Sequence, residues 1–395
     1  MADGVRFGLL GPLEMRADSA SVALGTPKQR AVLALLLINR NRPVSNDVLV
    51  GAAWNDEPPV GARPTLHCYI SNLRRIFSSV GADPHRVLAS APHGYRLAVA
   101  DDGCDLDRFN TEKTAGFHAA AAGRFGDAGS HLSAALSEWR GRVLEDLGEF
   151  HFVDGFASAL VEDKIIVQTA RAAAEIACGR AYSMIPELEG LVAEHPYREP
   201  LWAQLITAYY LSERQSDALE ACRRVRTALA DDLGVDPGPT IQVLHERILR
   251  HQPLDGKEAA RLSAEDTIEA FGNHAAMLGA RSAAFLHEAS GHDHFLAGAA
   301  TRIGRNPDND IVLSDNKVSR NHAVIVDTGT GFVITDLGSA NGVFVLGRRI
   351  HGSGTLGHGD DVRIGDQEFT FHTTPAEAPA TDSPDVGAKA GDRGP

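Results

Sequence analysis

The chain has 395 residues, of which 43% are hydrophobic and 23% charged, which is ordinary for a globular protein with more than one domain. It contains no apolar run of the roughly 18 residues that a membrane-spanning helix needs, and its N-terminus lacks the pattern of a secretory signal, so no membrane insertion is expected. The four cysteines include no CxxC pair, so neither a disulfide framework nor a zinc site is expected, and a reducing cytoplasm fits best.

The net charge of −14 is distributed unevenly along the chain. Residues 1–100 hold 11 Lys and Arg against 7 Asp and Glu, a balance of +4, whereas the other 295 residues hold 27 against 45. Local charge rather than total charge attracts phosphates. The first hundred residues are therefore the candidate nucleic-acid-binding part.

The pattern of the sequence divides the chain into three folded regions, a linker and a tail. We expect an α+β winged helix-turn-helix, an all-α domain of tetratricopeptide-like helix pairs, a linker with at most a turn of helix, an all-β sandwich and a disordered acidic tail. In chain order, these occupy residues 1–100, 104–250, 251–279, 280–373 and 374–395.

The segment GARPTLHCYISNLRRIF, residues 61–77, has the pattern of a DNA-reading helix. Its apolar residues recur at helical spacing along one stripe, made of Leu66, Ile70, Leu73 and Phe77. The opposite face is basic and hydrogen-bonding, with Arg63, His67, Ser71, Arg74 and Arg75. In the major groove, arginine can read guanine edges or bind phosphates. The alternative is an ordinary amphipathic helix whose polar face is solvated.

Other basic residues extend the predicted DNA-binding set beyond this helix. Lys28 and Arg30 lie at the start of an upstream helix, and Arg96 lies in the strand that closes the predicted C-terminal hairpin. A second short helix follows Ser45, a plausible N-cap.

The middle region contains an internal repeat. In LWAQLITAYYLSERQSDALEACRR the apolar side chains fall at tetratricopeptide spacing, and the unit 34 residues earlier places Met184 and Leu188 where Ala218 and Cys222 stand. Stacked helix pairs would share one core, because no pair buries its apolar face alone. A generic helical bundle is the alternative interpretation.

Four motifs in residues 1–250 resemble the antibiotic-regulatory-protein family of actinobacterial activators. They are GTPKQRAVLALLL, HCYISNLRRIF with HGYRL, HPYREPLWAQLITAYYLSERQSDALEACRRVR and DLGVDPGPTIQVLHERIL. The family pairs an OmpR-type winged helix with a bacterial transcriptional activation domain. The resemblance implies that 62–77 is the recognition helix and 91–98 the wing, and that the partners are promoter DNA, RNA polymerase and a second copy of the chain.

The segment TRIGRNPDNDIVLSDNKVSRNHAVI, residues 301–325, and the later SANGVFV place phosphate-binding groups on loops between short strands. Arg305 offers a guanidinium fork to phosphate oxygens. Ser319 offers a hydroxyl donor, and Asn341 can both donate to and accept from the backbone of an extended ligand.

The spacing of GR, SxxH and NG resembles a forkhead-associated (FHA) domain, a β-sandwich that binds phosphothreonine. The resemblance implies that Arg305, Ser319 and Asn341 contact the phosphopeptide and that Arg320 adds a further contact. It also implies architectural roles for three residues: Gly304, His322 and Gly342. The sequence departs from the family pattern at Ala340, where Ser or Thr is usual before the asparagine.

The order of the three modules resembles mycobacterial regulators controlled by a membrane Ser/Thr kinase. That resemblance implies genes of cell-wall arabinan synthesis as targets and a phosphorylated kinase as a partner. An adaptor without direct promoter binding is the alternative from another class.

An enzyme is the third possibility, and the sequence gives it no support. No nucleotide-binding loop of the P-loop or dinucleotide type occurs. HEASGHDH contains His287, Glu288, His292 and His294, but not at the spacing of a helical zinc site, and a hairpin is expected there. We therefore expect no catalytic residue, metal or cofactor.

Overall fold

The structure is a computed structural model, and it describes residues 5–18, 20–55, 57–91, 94–275, 283–288, 291–296, 300–307, 309–327, 332–350 and 352–374. A winged helix-turn-helix, a region of paired helices and a β-sandwich follow one another, as the sequence predicted. The tail predicted beyond residue 374 lies outside the described residues. None of the described helices combines the length and hydropathy that crossing a membrane requires.

The N-terminal region contains two small sheets around four helices. Its elements are β1 (Val5–Gly8), β2 (Glu14–Ala17), β3 (Ala20–Ser21), α1 (Pro27–Ile38), β4 (Pro43–Ser45), α2 (Asn46–Trp54), α3 (Ala62–Ser79), α4 (Pro84–Val87), β5 (Leu88–Ala91) and β6 (Gly94–Leu97). The first sheet has the order β1-β2-β3, where the sequence predicted a single strand, and the second has the order β4-β6-β5.

Local side chains explain where these elements begin. Thr26 caps α1 by accepting a hydrogen bond from the Gln29 N–H. Ser45, the predicted N-cap, caps α2 by accepting from the Val48 N–H. Gly94 opens β6 because a β-carbon there would collide with the Val44 carbonyl oxygen on the paired strand. Thus β6 can lie against both β4 and β5.

The middle region is entirely helical. It consists of α5 (Asp105–Ala121), α6 (Phe125–Ser137), a short 3-10 helix (Glu145–Leu147), α7 (His151–Ala177), α8 (Ala181–Glu194), α9 (Glu199–Leu211), α10 (Gln215–Leu233) and α11 (Pro239–Leu249). Consecutive helices pack as pairs, α5 on α6, α8 on α9 and α9 on α10. Gly116 allows the first pair to approach closely, because a β-carbon there would lie 2.6 Å from Cγ of Leu132. The repeat residues Met184, Leu188, Ala218 and Cys222 are all buried.

Where the sequence predicted a linker, the structure has a 20-residue helix, α12 (Gly256–Ala275). This helix packs on α5 and α7, and its Ala260 and Ala264 are buried. The side chains buried in this contact are alanines at positions i and i+4, so the sequence of α12 shows no strong apolar stripe. The sequence prediction of at most a turn of helix was therefore wrong.

The C-terminal region is a sandwich of two sheets. Its strands are β7 (Ala283–Glu288), β8 (Asp293–Phe295), β9 (Ala300–Gly304), β10 (Ile311–Val312), β11 (Ala323–Asp327), β12 (Phe332–Asp336), β13 (Val343–Val345), β14 (Arg348–Arg349), β15 (Ser353–Leu356), β16 (Asp361–Ile364) and β17 (Gln367–Thr374). The sheet orders are β10-β9-β11-β12-β15 and β14-β13-β16-β17-β7-β8. A buried apolar core lies between them.

Helix α7 contacts the two neighbouring folds. On the sandwich side, it packs against β11, β12 and β15, and a β-carbon at Gly155 would lie 2.6 Å from Cγ1 of Val324. On the other side, Asn55 ends α2 in the left-handed conformation and bonds the start of α7. Its Nδ2 donates to the Glu149 carbonyl at 2.9 Å, and its Oδ1 accepts from the His151 N–H at 3.1 Å. The helix-turn-helix and the sandwich thus share one helix as a neighbour.

Candidate functional site

The residues singled out for phosphate binding meet at one end of the sandwich. Arg305 follows β9, Ser319 and Arg320 precede β11, and Asn341 lies between β12 and β13. Backbone bonds join the first two loops, from Arg305 N–H to the Ser319 carbonyl at 3.0 Å and from Asn306 N–H to the Arg320 carbonyl at 3.1 Å. Three connections that are distant in sequence therefore form one surface.

The hydrogen bonds of Ser319 orient its hydroxyl group. The oxygen accepts a bond from the Ala340 N–H at 3.1 Å, so the hydroxyl proton is not used in that bond. A serine hydroxyl has one proton to donate and two lone pairs to accept with. Ser319 can therefore donate to a ligand while it holds the Asn341 loop in place.

His322 is completely buried and fixes the same two loops from beneath. Its Nδ1 accepts from the Ser319 N–H at 3.0 Å, so the neutral ring carries its proton on Nε2, which then donates to the Gly342 carbonyl at 3.1 Å. One ring thus sets the distance between the serine loop and the asparagine loop.

Asn341 is exposed, and its Nδ2 donates to the Lys317 carbonyl at 2.7 Å. That bond holds the amide plane against the neighbouring loop and turns Oδ1 away from the bonded side. The oxygen is a suitable acceptor for the backbone N–H of an extended peptide.

The two guanidinium groups of the site are exposed and carry uncompensated charge. Within the described parts of the chain, neither Arg305 nor Arg320 makes an ion pair, whereas Lys317 pairs with Asp366 at 2.8 Å and Arg302 with Asp310 at 3.4 Å. The local field therefore favours an anion between the two free arginines.

Two glycines make the loop geometry possible. A β-carbon at Gly304 would collide with the Arg320 carbonyl oxygen, and Gly342 has φ +77°, which is strained for other residues. Both positions thus support the site through the backbone.

Asn309 and the backbone of Ala340 also support the site, and neither was predicted from the sequence. Asn309 is buried, and its Nδ2 donates to the carbonyl oxygens of Asn306 at 2.9 Å and Arg320 at 2.7 Å. An asparagine in RNPDND looks like any turn residue, so no signal distinguished it. At Ala340 the backbone N–H makes the bond to Ser319, and the alanine departure leaves that contact intact.

The candidate DNA-binding face is the outer side of α3. Arg63, His67, Ser71 and Arg75 recur every four residues, and all four are exposed, whereas the apolar stripe of the helix is buried. Arg63 pairs with Asp47 at 2.6 Å, but both side chains are more than two-thirds exposed, 68% and 76%. Such a pair is worth about 0–1 kcal/mol, so a DNA phosphate can replace the aspartate.

Arg74 and Arg30 do not fit the predicted role as DNA contacts. Arg74 donates from Nε and Nη2 to the Leu88 carbonyl at 3.0 and 2.8 Å, which fastens α3 to β5. Arg30 lies 3.0 Å from the carboxylate of Asp146, in the helical region, and its Nε is buried. The pattern of basic residues predicted that both guanidinium groups are free, but each binds a partner that lies outside its own helix.

The two remaining predicted DNA contacts, Lys28 and Arg96, lie on the same fold as His67. His67 is exposed, and its Nδ1 lies 2.7 Å from the Tyr95 hydroxyl of β6. Lys28 is half-buried, with Nζ 5.0 Å from the ring centre of Trp54, and Arg96 is exposed on β6. The turn between β5 and β6, the centre of the predicted wing, lies outside the described residues.

Models of known protein families match all three folded regions of the chain. The family models that match are a transcriptional regulatory protein C-terminal domain at residues 20–97, a bacterial transcriptional activator domain at 104–249 and an FHA domain at 301–365. The transcriptional regulatory protein EmbR of Mycobacterium tuberculosis is 62% identical over 366 residues, which cover 92% of this chain and 94% of that protein. The chain belongs to the EmbR family of transcriptional regulators.

A solved structure of an EmbR-family member is similar over nearly the whole chain. The structure of M. tuberculosis EmbR in complex with a low-affinity phosphopeptide has a TM-score of 0.91 and 59% identity, and covers 95% of this chain and 99% of that one. Regulatory protein AfsR of Streptomyces coelicolor is 36% identical over 250 residues, or 63% of this chain and 24% of that protein. The predicted resemblances are thus confirmed for the EmbR family and for the antibiotic-regulatory-protein family.

The described residues of this EmbR-family chain offer no metal-binding cluster of His, Cys, Asp and Glu. The predicted hairpin at HEASGHDH is present as β7 and β8, with residues 289 and 290 outside the described part. Burial raises the pKa of Cys104 to about 12 and that of Cys222 to about 11, so both thiols stay protonated and unreactive at neutral pH.

Proposed function

We propose that this chain is a DNA-binding transcriptional regulator, acting in the cytoplasm, whose activity is controlled by a Ser/Thr protein kinase. In this proposal α3 and the β5–β6 hairpin bind promoter DNA, and the helical region contacts RNA polymerase and a second copy of the chain. A phosphothreonine of the kinase binds at Arg305, Ser319 and Asn341. Genes of cell-wall arabinan synthesis are the proposed targets, and no catalytic step is assigned to the chain.

The observation that carries the proposal is the set of free donors at one end of the sandwich. Two guanidinium groups without an ion pair among the described residues and one free hydroxyl proton converge there, held by backbone bonds and by His322. A phosphorylated threonine adds a charge of about −1.5 to −2 and three acceptor oxygens. The unmodified side chain has neither, so binding would depend on phosphorylation. M. tuberculosis EmbR, in its solved complex, binds a phosphopeptide.

A peptide titration tests the phosphate-dependent part. Fluorescence anisotropy would compare labelled phosphothreonine peptides with the same peptides unphosphorylated, against the full chain. We expect saturable binding of the phosphorylated peptides alone. Equal binding of both forms would contradict the proposed recognition.

The remaining candidate function is an adaptor that binds phosphopeptides without contacting DNA. The exposed row of Arg63, His67, Ser71 and Arg75 favours the regulator, since an adaptor has no need of a basic helix face. The salt dependence of DNA binding distinguishes the two, because each neutralised phosphate releases condensed counterions. For an adaptor, the affinity for DNA would show no steep dependence on salt concentration.

Arg75→Ala is expected to weaken binding to duplex DNA and to reduce the slope of log K against log salt by about 1. The reason is the loss of one exposed cation from the DNA-facing row of α3. Anisotropy of a labelled duplex over a salt series measures both quantities.

The matched control is Arg226→Ala, which removes an exposed arginine of α10 in the helical region. It should leave the slope unchanged. Equal losses in the two variants would mean that net charge, and not the α3 face, governs binding.

Contacts through α7 give the proposed control a physical route. The Ser319 loop leads directly into β11, whose Val324 packs on Gly155 of α7. At the same end of α7, the start of the helix receives two bonds from Asn55, the residue that ends α2 of the helix-turn-helix. A shift of β11 on peptide binding would therefore reach the DNA-binding helices through one rigid element.

A further inference from the structure

A groove lies between three helices of the middle region, with α6 and α8 at its sides and α7 between them. All of its lining residues belong to the helical region. Its volume is about 440 Å³, and pockets that bind small molecules usually measure about 300–1,000 Å³. We call it the α6–α8 groove. The polar side chains that line it are Ser133, Ser137, Lys164, Gln168, Arg171 and Glu187.

The side chains of the α6–α8 groove carry one positive charge in excess. Arg171 and Glu187 neutralise each other, because Arg171 Nη2 donates to both oxygens of the Glu187 carboxylate. Lys164 is half-buried and makes no ion pair within the described part of the chain. Its Nζ lies 4.7 Å from the ring centre of Trp139, and an aromatic ring attracts a cation without neutralising its charge. One anionic group would therefore balance the charge of the groove.

Two neutral side chains of the groove have hydrogen-bonding capacity that the protein does not use. Gln168 lies one turn after Lys164 on α7, and neither Gln168 nor Ser133 of α6 has a hydrogen-bond partner among the described residues. A glutamine amide and a serine hydroxyl can each both donate and accept. Ligand hydroxyl groups, which also do both, are well suited to them. Leu136 and the ring of Trp139 supply apolar surface beside these groups.

We propose that the α6–α8 groove binds a small hydroxylated carboxylate, with the carboxylate at Lys164 and hydroxyl groups at Ser133 and Gln168. A monoanion matches the single excess charge, whereas a phosphate monoester, with a charge of about −1.5 to −2, exceeds it. The groove shares no residue with the candidate phosphate site or with the DNA-binding face of α3. The inference therefore goes beyond the proposed function and does not depend on it.

Probes of similar size test the inference by isothermal titration calorimetry with the full chain. D-Glucuronate has both the carboxylate and the hydroxyl groups, D-glucuronamide keeps the hydroxyl groups without the charge, and cyclohexanecarboxylate keeps the charge without the hydroxyl groups. D-Gluconate repeats the first combination in a linear molecule. We expect saturable binding of D-glucuronate or D-gluconate, at least about 10-fold tighter than that of the other two probes, since a hydrogen bond to a charged group contributes this much.

Variants assign the binding to the groove. Lys164→Met removes the charge but keeps an unbranched side chain, and it should weaken binding of the preferred probe by about 10-fold or more. Ser133→Ala removes one neutral hydrogen bond from an exposed position of α6 and should weaken binding by roughly 2- to 10-fold. The matched control is Lys257→Met, which removes the same charge from an exposed position of α12 and should bind like wild type.

Four results would overturn the inference. Binding of D-glucuronamide or of cyclohexanecarboxylate as tightly as the preferred probe would contradict the ligand class, and no binding of D-glucuronate and D-gluconate would reject the site. Equal weakening in Lys164→Met and Lys257→Met would show that only net charge matters. Loss of binding in Arg305→Ala would place the anion at the candidate phosphate site instead. If Lys164→Met does not fold, as judged by far-UV circular dichroism, Ser133→Ala decides, and unchanged binding in it would reject the site.

Discussion

Arg305→Ala should lower the affinity of the full chain for a phosphothreonine peptide by roughly 10- to 150-fold, which corresponds to about 1.5–3 kcal/mol for hydrogen bonds to a charged group. The guanidinium is exposed and makes no ion pair within the described residues, so its removal leaves no stranded partner. The loss therefore measures the phosphate contact itself. Isothermal titration calorimetry with the phosphorylated and unphosphorylated peptide gives the two affinities.

Arg302→Ala is the matched control for this prediction. Arg302 lies in β9, the strand that leads into the Arg305 loop, but unlike Arg305 it forms an ion pair, with Asp310. We expect its affinity for the peptide to stay within a factor of about 3 of wild type, because exposed ion pairs contribute little. A control variant as weak as Arg305→Ala would show that general positive charge, and not a placed guanidinium, holds the peptide.

Asp163→Ala should lower the free energy of unfolding of the helical region by about 3–5 kcal/mol, the usual effect of removing one partner from a buried ion pair. Lys113 Nζ lies 2.7 Å from Asp163 Oδ2, and the side chains are only 2% and 1% exposed. The pair joins α5 to α7, the helix that contacts both neighbouring folds. The alanine variant leaves a buried ammonium without its carboxylate.

Urea unfolding followed by far-UV circular dichroism measures this loss. The control is the double variant Lys113→Met/Asp163→Leu, which removes both charges and fills the space. It should be much more stable than Asp163→Ala, because no unpaired charge remains buried. Equal destabilisation of both variants would mean that packing, and not the charge pair, governs this contact.

The convergence of Arg305, Ser319 and Asn341 at one end of the sandwich was predictable because these residues lie in short motifs that need backbone geometry as well as chemistry. Gly304 and Gly342 permit backbone geometry that other residues do not, and they stand directly beside Arg305 and Asn341 in the sequence. The supporting contacts of Asn309 and of the Ala340 backbone were not predictable. The Ala340 N–H bond to Ser319 is a backbone contact between distant loops, so no side chain reports it.

For the predicted DNA contacts, the sequence showed which residues share a helix face, but not which partners bind them. Periodicity identified the exposed row on α3, since a helix face is a local property. It could not show that Arg30 meets Asp146 of the helical region or that Arg74 binds the Leu88 carbonyl, because those partners come from elsewhere in the fold. Likewise, α12 has a buried face of alanines, which carries little periodic signal.

We propose that occupancy of the phosphopeptide site changes DNA binding, and one titration tests this coupling. The affinity of the full chain for promoter DNA would be measured with and without saturating phosphothreonine peptide, in wild type, Arg305→Ala and Asn55→Gly. Glycine keeps the left-handed backbone of Asn55, φ 52°, while removing its bonds to the start of α7.

We expect the peptide to change the DNA affinity of wild type, Arg305→Ala to show no response, and Asn55→Gly to bind the peptide with a reduced DNA response. An unchanged DNA affinity in wild type, with the peptide shown to be bound, would rule out this coupling and leave two independent binding activities on one chain.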